Sequence, residues 1–306
     1  MTVAVAFAGY AAAAAAILAP PMMRGRWAAR SPRLAITLWL VLPVSWVAAV
    51  VLAILAATAP FTLTWAGSSQ ADGQLLSGQA TPDRQAIAVA GLVLAAAVMM
   101  RAAGCVVGEL HRGREERGEH ADLVAAIGRP GLEPGVAILD HDAAAVYCLP
   151  RGRYHIVVSS GALDALTPAQ LHAVLAHERA HLRFRHHQAL SLATALARAF
   201  PRVPLLTQAQ PQLAVLTEMA ADDNAARSHR PEDLASALVV LGSSSARPAT
   251  LAASGPEAIA RLQRILATQQ PRRGFARLAA VAVLIPAAAI ACVPLIFAAC
   301  DVASRR

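Results

Sequence analysis

Residues 177–181 of the 306-residue chain read HERAH, so two histidines stand four positions apart with a glutamate directly after the first. On a helix, positions four apart share a face, and both imidazoles can reach one metal ion. Two imidazoles and one further protein ligand leave a tetrahedral zinc ion one open position for water. Glu178 can take a proton from that water as it attacks a peptide carbonyl. The segment predicts a peptidase that holds one Zn²⁺ per chain through His177 and His181, with Glu178 as general base.

The third zinc ligand must come from outside this motif. His187 follows His181 by six residues, but a ligand at that spacing needs a glycine at position 184 to turn the chain, and Phe184 stands there. The better candidate is Glu218 in TEMAADDNAA, with Asp222 four residues later on the same helix face. A carboxylate ligand and a carboxylate that accepts a hydrogen bond from a ligating imidazole would complete the site. A solvated acidic helix face is the alternative for this pair.

Two basic residues after the acidic pair, Arg227 and His229, are candidates for stabilising the oxyanion that forms during peptide hydrolysis. The more ordinary interpretation of each is a surface residue near a helix end. The sequence assigns no role to His186 or His187, which follow the motif.

The elements that position these residues follow from local signals. Thr167 and Pro168 indicate a helix start, with threonine as N-cap and proline in the first turn. The absence of glycine and proline then predicts one continuous helix up to Pro201. Valine-rich runs within 135–163 predict two strands joined by a turn, and further helices are expected at 212–229 and 232–242.

Two segments of this region allow two interpretations each. The strand YHIVVSS could be an edge that pairs with an extended substrate, or an ordinary core strand. The apolar stretch ALSLATALARAFPRVPLL could lie at a membrane interface or over the active site, or simply pack in the core.

The composition places the chain among membrane proteins, since 57% of its residues are hydrophobic and only 15% are charged. The four cysteines show no CxxC pairing, which argues against a zinc ribbon or a disulfide framework. A cleaved signal peptide is the alternative for the first apolar segment, although its arginines follow the apolar run instead of preceding it. Four apolar segments are long enough to be transmembrane helices, at about 3–23, 34–57, 86–107 and 278–300.

The placement of arginine predicts the orientation. All 27 basic residues are arginine, and the net charge is +8. Arginines concentrate at 24–33, after the third segment and before the fourth, whereas the polar 60–84 loop has only Arg84. Arginines beside apolar segments indicate orientation at a lipid bilayer, and no direct nucleic-acid binding is expected. The prediction is a multi-pass protein of the bacterial plasma membrane with extracellular termini.

Three regions follow from this topology: a membrane region at 1–107, a cytosolic zinc metallopeptidase domain at 108–277, and a fourth transmembrane helix with a short tail at 278–306. The expected fold is mostly α, with four transmembrane helices and a cytosolic α+β zincin-like domain that contains a short β-sheet. The sequence leaves open whether the chain forms a homodimer.

The stretch IVVSSGALDALTPAQLHAVLAHERAHLRFRH, followed by EMAADDNAA and RPEDLASALVVL, resembles the integral-membrane gluzincin metallopeptidases. These include HtpX-type proteases and the BlaR/MecR-type antirepressor proteases. The resemblance covers about residues 136–242. It implies zinc ligands at His177, His181 and Glu218, a general base at Glu178 and a supporting aspartate at Asp222.

Three apolar segments before the catalytic domain and one after it favour the BlaR/MecR type. The chain ends soon after the fourth segment, so we expect it to lack the penicillin-binding sensor domain of the antibiotic sensors. The implied function is proteolysis of a cytosolic regulatory protein, such as a BlaI-like winged-helix repressor, in signal transduction. The alternatives are an HtpX-like quality-control protease of membrane proteins and a non-catalytic signalling scaffold, although a scaffold has no need of the motif residues.

Overall fold

The computed structural model describes residues 2–15, 26–67, 82–131, 133–244 and 256–267. The fourth predicted membrane segment, 278–300, lies outside the described residues, as does the centre of the predicted 60–84 loop. Both ends of that loop are helical, because the flanking helices extend into it. The helices are α1 (Thr2–Ala13), α2 (Arg26–Arg30), α3 (Pro32–Gly67), α4 (Pro82–Ile127), α5 (Ser160–Ala165), α6 (Pro168–Arg183), α7 (His186–Ala199), α8 (Pro204–Thr207), α9 (Ala209–Ala225), α10 (Pro231–Ser244) and α11 (Pro256–Leu266).

Two of these helices are long and apolar enough to cross a membrane: the Pro32–Ala59 part of α3, and α4. Only 33% of the most apolar stretch of α3 is buried inside the protein, and only 22% of the most apolar stretch of α4. The core helix of a soluble protein, in contrast, is mostly buried. The side chains of Leu92, Val93 and Met100 on α4 are exposed. The exposed apolar surface of these two helices is therefore suited to contact with lipid.

The third apolar segment and the charged stretch after it form a single helix. α4 has 46 residues, which corresponds to about 69 Å at 1.5 Å per residue. It runs through the predicted domain boundary at 107 without a break, so the charged stretch GELHRGREERGEHADL belongs to the same helix. Val124 near its end packs against Ala137, Tyr154 and Val157 beneath the sheet.

The sheet of the described residues has four strands: β1 (Arg129–Pro130), β2 (Val136–Leu139), β3 (Val146–Cys148) and β4 (Ile156–Ser159). Their order is β1-β2-β4-β3; β2 and β4 are parallel, and the other two pairings are antiparallel. The prediction of two strands within 135–163 was wrong, because the stretch around Tyr147 pairs as a separate strand. β4 lies between two neighbours and is buried along its whole length, so YHIVVSS contributes a core strand, and β1 and β3 form the two edges of the sheet.

The motif helix α6 begins as predicted. Thr167 is its N-cap, and a reciprocal capping box joins Thr167 to Gln170. The predicted continuity to Pro201 was wrong, because α6 ends at Arg183 and α7 begins at His186. Arg185 adopts a left-handed backbone conformation with φ 51°, which redirects the chain. The break lets α6 pack on β3 and β4 while α7 packs on α4, which one straight helix would not achieve.

The second half of the catalytic region packs directly on the long apolar helices. Leu213 and Leu216 of α9 share one apolar core with Leu38, Trp39 and Leu42 of α3. The stretch ALSLATALARAFPRVPLL, in α7 and α8, packs against α3 and α4, so core packing against the apolar helices is its observed role. The predicted membrane region and the predicted protease domain therefore share their hydrophobic cores.

Candidate active site

Two helices bring the predicted ligand atoms together. α6 buries Ala173, Ala176 and Ala180 against its neighbours and presents His177 and His181 on one side. Their Nε2 atoms lie 3.1 Å apart. α9 brings Glu218 to the same point: Oε2 lies 3.5 Å from His177 Nε2, and Oε1 lies 3.4 Å from His181 Nε2.

These separations fit a zinc ion. Zinc–nitrogen and zinc–oxygen bonds of 2.0–2.1 Å in a tetrahedron place neighbouring ligand atoms about 3.3 Å apart. The two Nε2 atoms are 3.1 Å apart, and the two oxygens of Glu218 lie 3.5 Å from His177 Nε2 and 3.4 Å from His181 Nε2. When each residue contributes one ligand atom, the three atoms lie within 4.8 Å of one another. A His-His-Glu group of this kind could hold a metal ion, with one position left open.

Asp222 lies behind His177, one helical turn beyond Glu218 on α9. Its Oδ1 is 3.1 Å from His177 Nδ1, but the ring N–H is not aligned with it, so the contact is mainly electrostatic. Burial of His177 disfavours its protonated form, yet Asp222 and Glu218 outweigh this effect and raise the pKa of His177 to about 10. The structure thus places Asp222 where a carboxylate can orient a ligating imidazole.

Glu178 lies between the ligand triangle and the edge strand. It is adjacent to His177 on α6, and its carboxylate contacts the thiol and backbone of Cys148 on β3. Burial, together with the negative charge of Glu218, raises the pKa of Glu178. A carboxylate with a raised pKa beside the ligand triangle is suited to accepting a proton from water during the reaction.

His186 contacts the second histidine ligand. Its Nδ1 lies 2.9 Å from His181 Nδ1, on the opposite side of the ring from the ligand atom Nε2. Burial lowers the pKa of both His181 and His186 to about 4, so both rings are neutral at pH 7, and zinc binds the neutral form of imidazole. The contact depends on the break at Arg185, because His186 is the first residue of α7. His187 is half-buried and is not part of the ligand triangle.

The site also contains Arg261, a residue that no sequence motif indicated. This residue lies on α11, and its guanidinium contacts Glu218 Oε2 at 2.9 Å and both oxygens of Asp222 at 2.6 and 2.7 Å. A helix signal was present in PEAIARLQRIL, where proline occupies the first position and apolar residues recur at Leu262 and Ile265. That signal does not by itself indicate contact with the metal ligands.

The structure places Arg227 and His229 just beyond the C-terminus of α9. Arg227 is exposed, and its charge acts on Asp223 instead of the ligand triangle. Within the described residues, no contact joins Arg227 or His229 to the ligand triangle or to Glu178. Their role at the oxyanion stays a prediction.

Comparison with known protein families agrees with this geometry. The family model for peptidase family M48 matches residues 110–269, just over half of the chain. The chain belongs to peptidase family M48. Its members are zinc-dependent metallopeptidases, and the matched range contains the HERAH motif, Glu218 and Arg261. No curated protein and no solved structure matches the chain.

Membership of the M48 family makes a metalloprotease the supported activity, with zinc as its metal. The family match does not distinguish the HtpX-type from the BlaR/MecR-type relatives that the sequence resembles.

Proposed function

We propose that this chain is a membrane-integrated zinc metalloendopeptidase that cleaves proteins at the cytosolic face of the bacterial plasma membrane. The observation that carries the proposal is the His177–His181–Glu218 triangle, whose ligand atoms lie close enough together to hold one metal ion, with Glu178 beside it. A non-catalytic scaffold would need neither this grouping nor a half-buried carboxylate next to it.

In this mechanism His177, His181 and Glu218 hold the zinc ion, which when bound supplies Lewis-acid activation of water and of the scissile carbonyl. Glu178 accepts the proton of the attacking water and passes it to the nitrogen of the leaving amine. Its raised pKa favours the first transfer, because the protonated form of Glu178 is stabilised until the proton passes to the amine. Asp222 holds the imidazole of His177 in place throughout.

The substrate segment is expected to be extended. β3 is an edge strand of the described sheet and contacts Glu178 through Cys148, so a peptide paired with β3 would pass in front of the general base. This assigns to β3 the pairing role that the sequence suggested for YHIVVSS.

Two classes of substrate are compatible with this site: proteins anchored in the same bilayer, and cytosolic regulatory proteins. The packing of α9 on the first turns of the apolar part of α3 supports a substrate anchored in the same bilayer, because Glu218 lies on the helix that contacts Leu38 and Trp39. This favours the quality-control alternative. A BlaI-like winged-helix repressor is the substrate that the BlaR/MecR-type layout of apolar segments supports. For the topology, we propose the arrangement predicted from the arginines, with extracellular termini and a cytosolic catalytic region.

A paired-substrate experiment tests the function and separates the two classes. The full chain and its Glu178→Gln variant are reconstituted with zinc in lipid vesicles that contain an unfolded soluble protein, either free or fused to one transmembrane helix. We expect Glu178-dependent cleavage, with faster cleavage of the anchored form. Faster cleavage of the free form would favour a cytosolic regulatory substrate. Absence of cleavage of both forms by the zinc-loaded chain would refute the proposed function.

A further inference from the structure

The short helix α11 lies against the helix that carries the carboxylate ligand. Leu262 and Ile265 bury one face of α11 in a cluster with Ala173 and Ala176 of the motif helix and Leu234 of α10. Ion pairs add to this packing, because two arginines of α11 contact acidic residues of α9.

Arg261 binds two carboxylates at once. Its Nε and Nη2 atoms donate to the two oxygens of Asp222 at 2.6 and 2.7 Å, and its Nη1 lies 2.9 Å from Glu218 Oε2. The Asp222 side chain is 1% exposed and that of Arg261 is 16% exposed, so water screens this contact little. A planar guanidinium fits such paired contacts, whereas an ammonium group does not.

This pairing fixes the two groups that define the carboxylate side of the metal site. Glu218 could rotate about its terminal bonds, but Arg261 holds Oε2 while Oε1 faces His181 Nε2. Asp222 is held through both oxygens, and the same Oδ1 that faces His177 Nδ1 accepts from Arg261 Nη2. One side chain thereby orients a metal ligand and also the group that orients another ligand.

We propose that Arg261 is a positioning residue of the zinc site, which holds Glu218 and Asp222 in the geometry needed for metal binding. The inference rests on the proposed zinc function. Arg261 also compensates the negative charge of the buried Asp222 and the part-exposed Glu218, and although burial opposes it, the proximity of these two carboxylates keeps the pKa of Arg261 above its ordinary value. Without it, the two carboxylates would repel each other in a poorly solvated site.

Arg261 also places a positive charge near the metal ligands. Its Nη2 lies 3.5 Å from His177 Nε2, so a cationic group is close to the position that a metal ion would take. If charge repulsion dominated, removal of Arg261 would strengthen zinc binding. We place positioning above repulsion because three short contacts join Arg261 to the carboxylates, while its contact with His177 is the longest of the set.

Arg264 provides the matched control on the same helix. Its guanidinium donates to both oxygens of Asp223 at 2.6 and 2.7 Å and to the backbone oxygen of Ala29 at 2.7 Å. These contacts hold α11 to α9 and to α2, but none reaches a metal ligand. Substitution of Arg264 therefore tests the docking of α11 without removing a direct contact to Glu218 or Asp222.

The experiment compares Arg261→Gln, Arg261→Lys and Arg264→Gln with wild type, all as full chains in detergent. Zinc affinity is measured by competition with a chromogenic chelator, and ligand geometry is read from the visible absorption of the Co²⁺-substituted protein. Circular dichroism on the same samples shows whether each variant is folded.

We expect Arg261→Gln to bind zinc about 10- to 100-fold more weakly and to change the Co²⁺ spectrum, as is typical when the partner of a ligand is removed. Arg261→Lys should bind zinc more tightly than Arg261→Gln but more weakly than wild type, because lysine keeps the positive charge but lacks the planar guanidinium that contacts two oxygens at once. Arg264→Gln should keep the wild-type spectrum.

Three outcomes would overturn the assignment: unchanged affinity and spectrum in a folded Arg261→Gln variant, tighter zinc binding in that variant, or an equal spectral change in Arg264→Gln. Failure of wild type itself to bind zinc would instead refute the proposed function.

Discussion

The two sides of the candidate zinc site are built in different ways. The histidine side comes from one helix: His177, Glu178 and His181 lie within five residues of α6, and helix geometry alone aligns them. The carboxylate side joins residues that are distant in sequence, because Glu218 and Asp222 lie on α9 and Arg261 lies on α11. The first side depends on local structure, and the second depends on tertiary packing against the apolar helix α3.

The largest effect is expected on the histidine side, from loss of the general base. Glu178→Gln removes the proton acceptor while leaving both imidazoles in place. Cleavage should fall by about 10²- to 10⁴-fold, the usual contribution of general acid–base catalysis, while zinc content stays at the wild-type level. Peptidase assays and zinc analysis on one preparation check this. Retained cleavage in the variant would assign the base to another residue.

Substitution of His186 tests whether the histidine side of the site depends only on residues of α6. The ring of His186 contacts His181 Nδ1 from beyond the helix break, so His186→Ala should weaken zinc binding by about 10- to 100-fold. His187→Ala is the matched control and should have little effect. Equal zinc affinities for the two variants would show that the contact at His181 Nδ1 does not support the ligand.

The dependence of zinc affinity on pH tests the link between the two sides. Before zinc binds, Asp222 and Glu218 raise the pKa of His177 to about 10, whereas the pKa of His181 is lowered to about 4. Between pH 6 and 8, zinc must therefore displace one proton, from His177, and apparent affinity should rise about tenfold per pH unit. Chelator competition across this range measures the slope.

The control for the pH experiment is Asp222→Asn, which removes the carboxylate facing His177 Nδ1 and should flatten the slope. A wild-type affinity that does not change with pH, or one that rises about a hundredfold per unit, would contradict the assigned protonation states.

The smallest effect concerns the stability of α6 alone. Thr167→Ala removes the N-cap side chain and half of the capping box with Gln170. The free energy of unfolding should fall by about 1 kcal/mol with zinc stoichiometry unchanged. Denaturant titration measures the change, and Thr167→Ser, which keeps the hydroxyl, should remain close to wild type.

The same contrast explains what the sequence could predict. The helix start at Thr167, the ligand pair of α6 and the proximity of Glu218 to it follow from spacing, capping and family resemblance. The break at Arg185 has no glycine or proline to mark it, and the packing of α7 on α4 explains it instead. The role of Arg261 depends on where α11 docks, and no local pattern specifies that.

The membrane region shows the same contrast between local features, which the sequence predicts, and tertiary contacts, which it does not. Hydropathy predicted the helices α3 and α4, because length and apolar composition are local properties. The shared core of Leu38 and Trp39 with Leu213 and Leu216 was not predictable, since hydropathy does not distinguish a surface that faces lipid from one that faces the catalytic region.

The most direct test of the account is the zinc content of the purified full chain and its Glu218→Ala variant, measured by elemental analysis on folded protein. The account predicts one zinc per wild-type chain and a marked loss in the variant, because the carboxylate side supplies the third ligand. Absence of zinc from folded wild type, or full retention of zinc in Glu218→Ala, would contradict the assignment of the site.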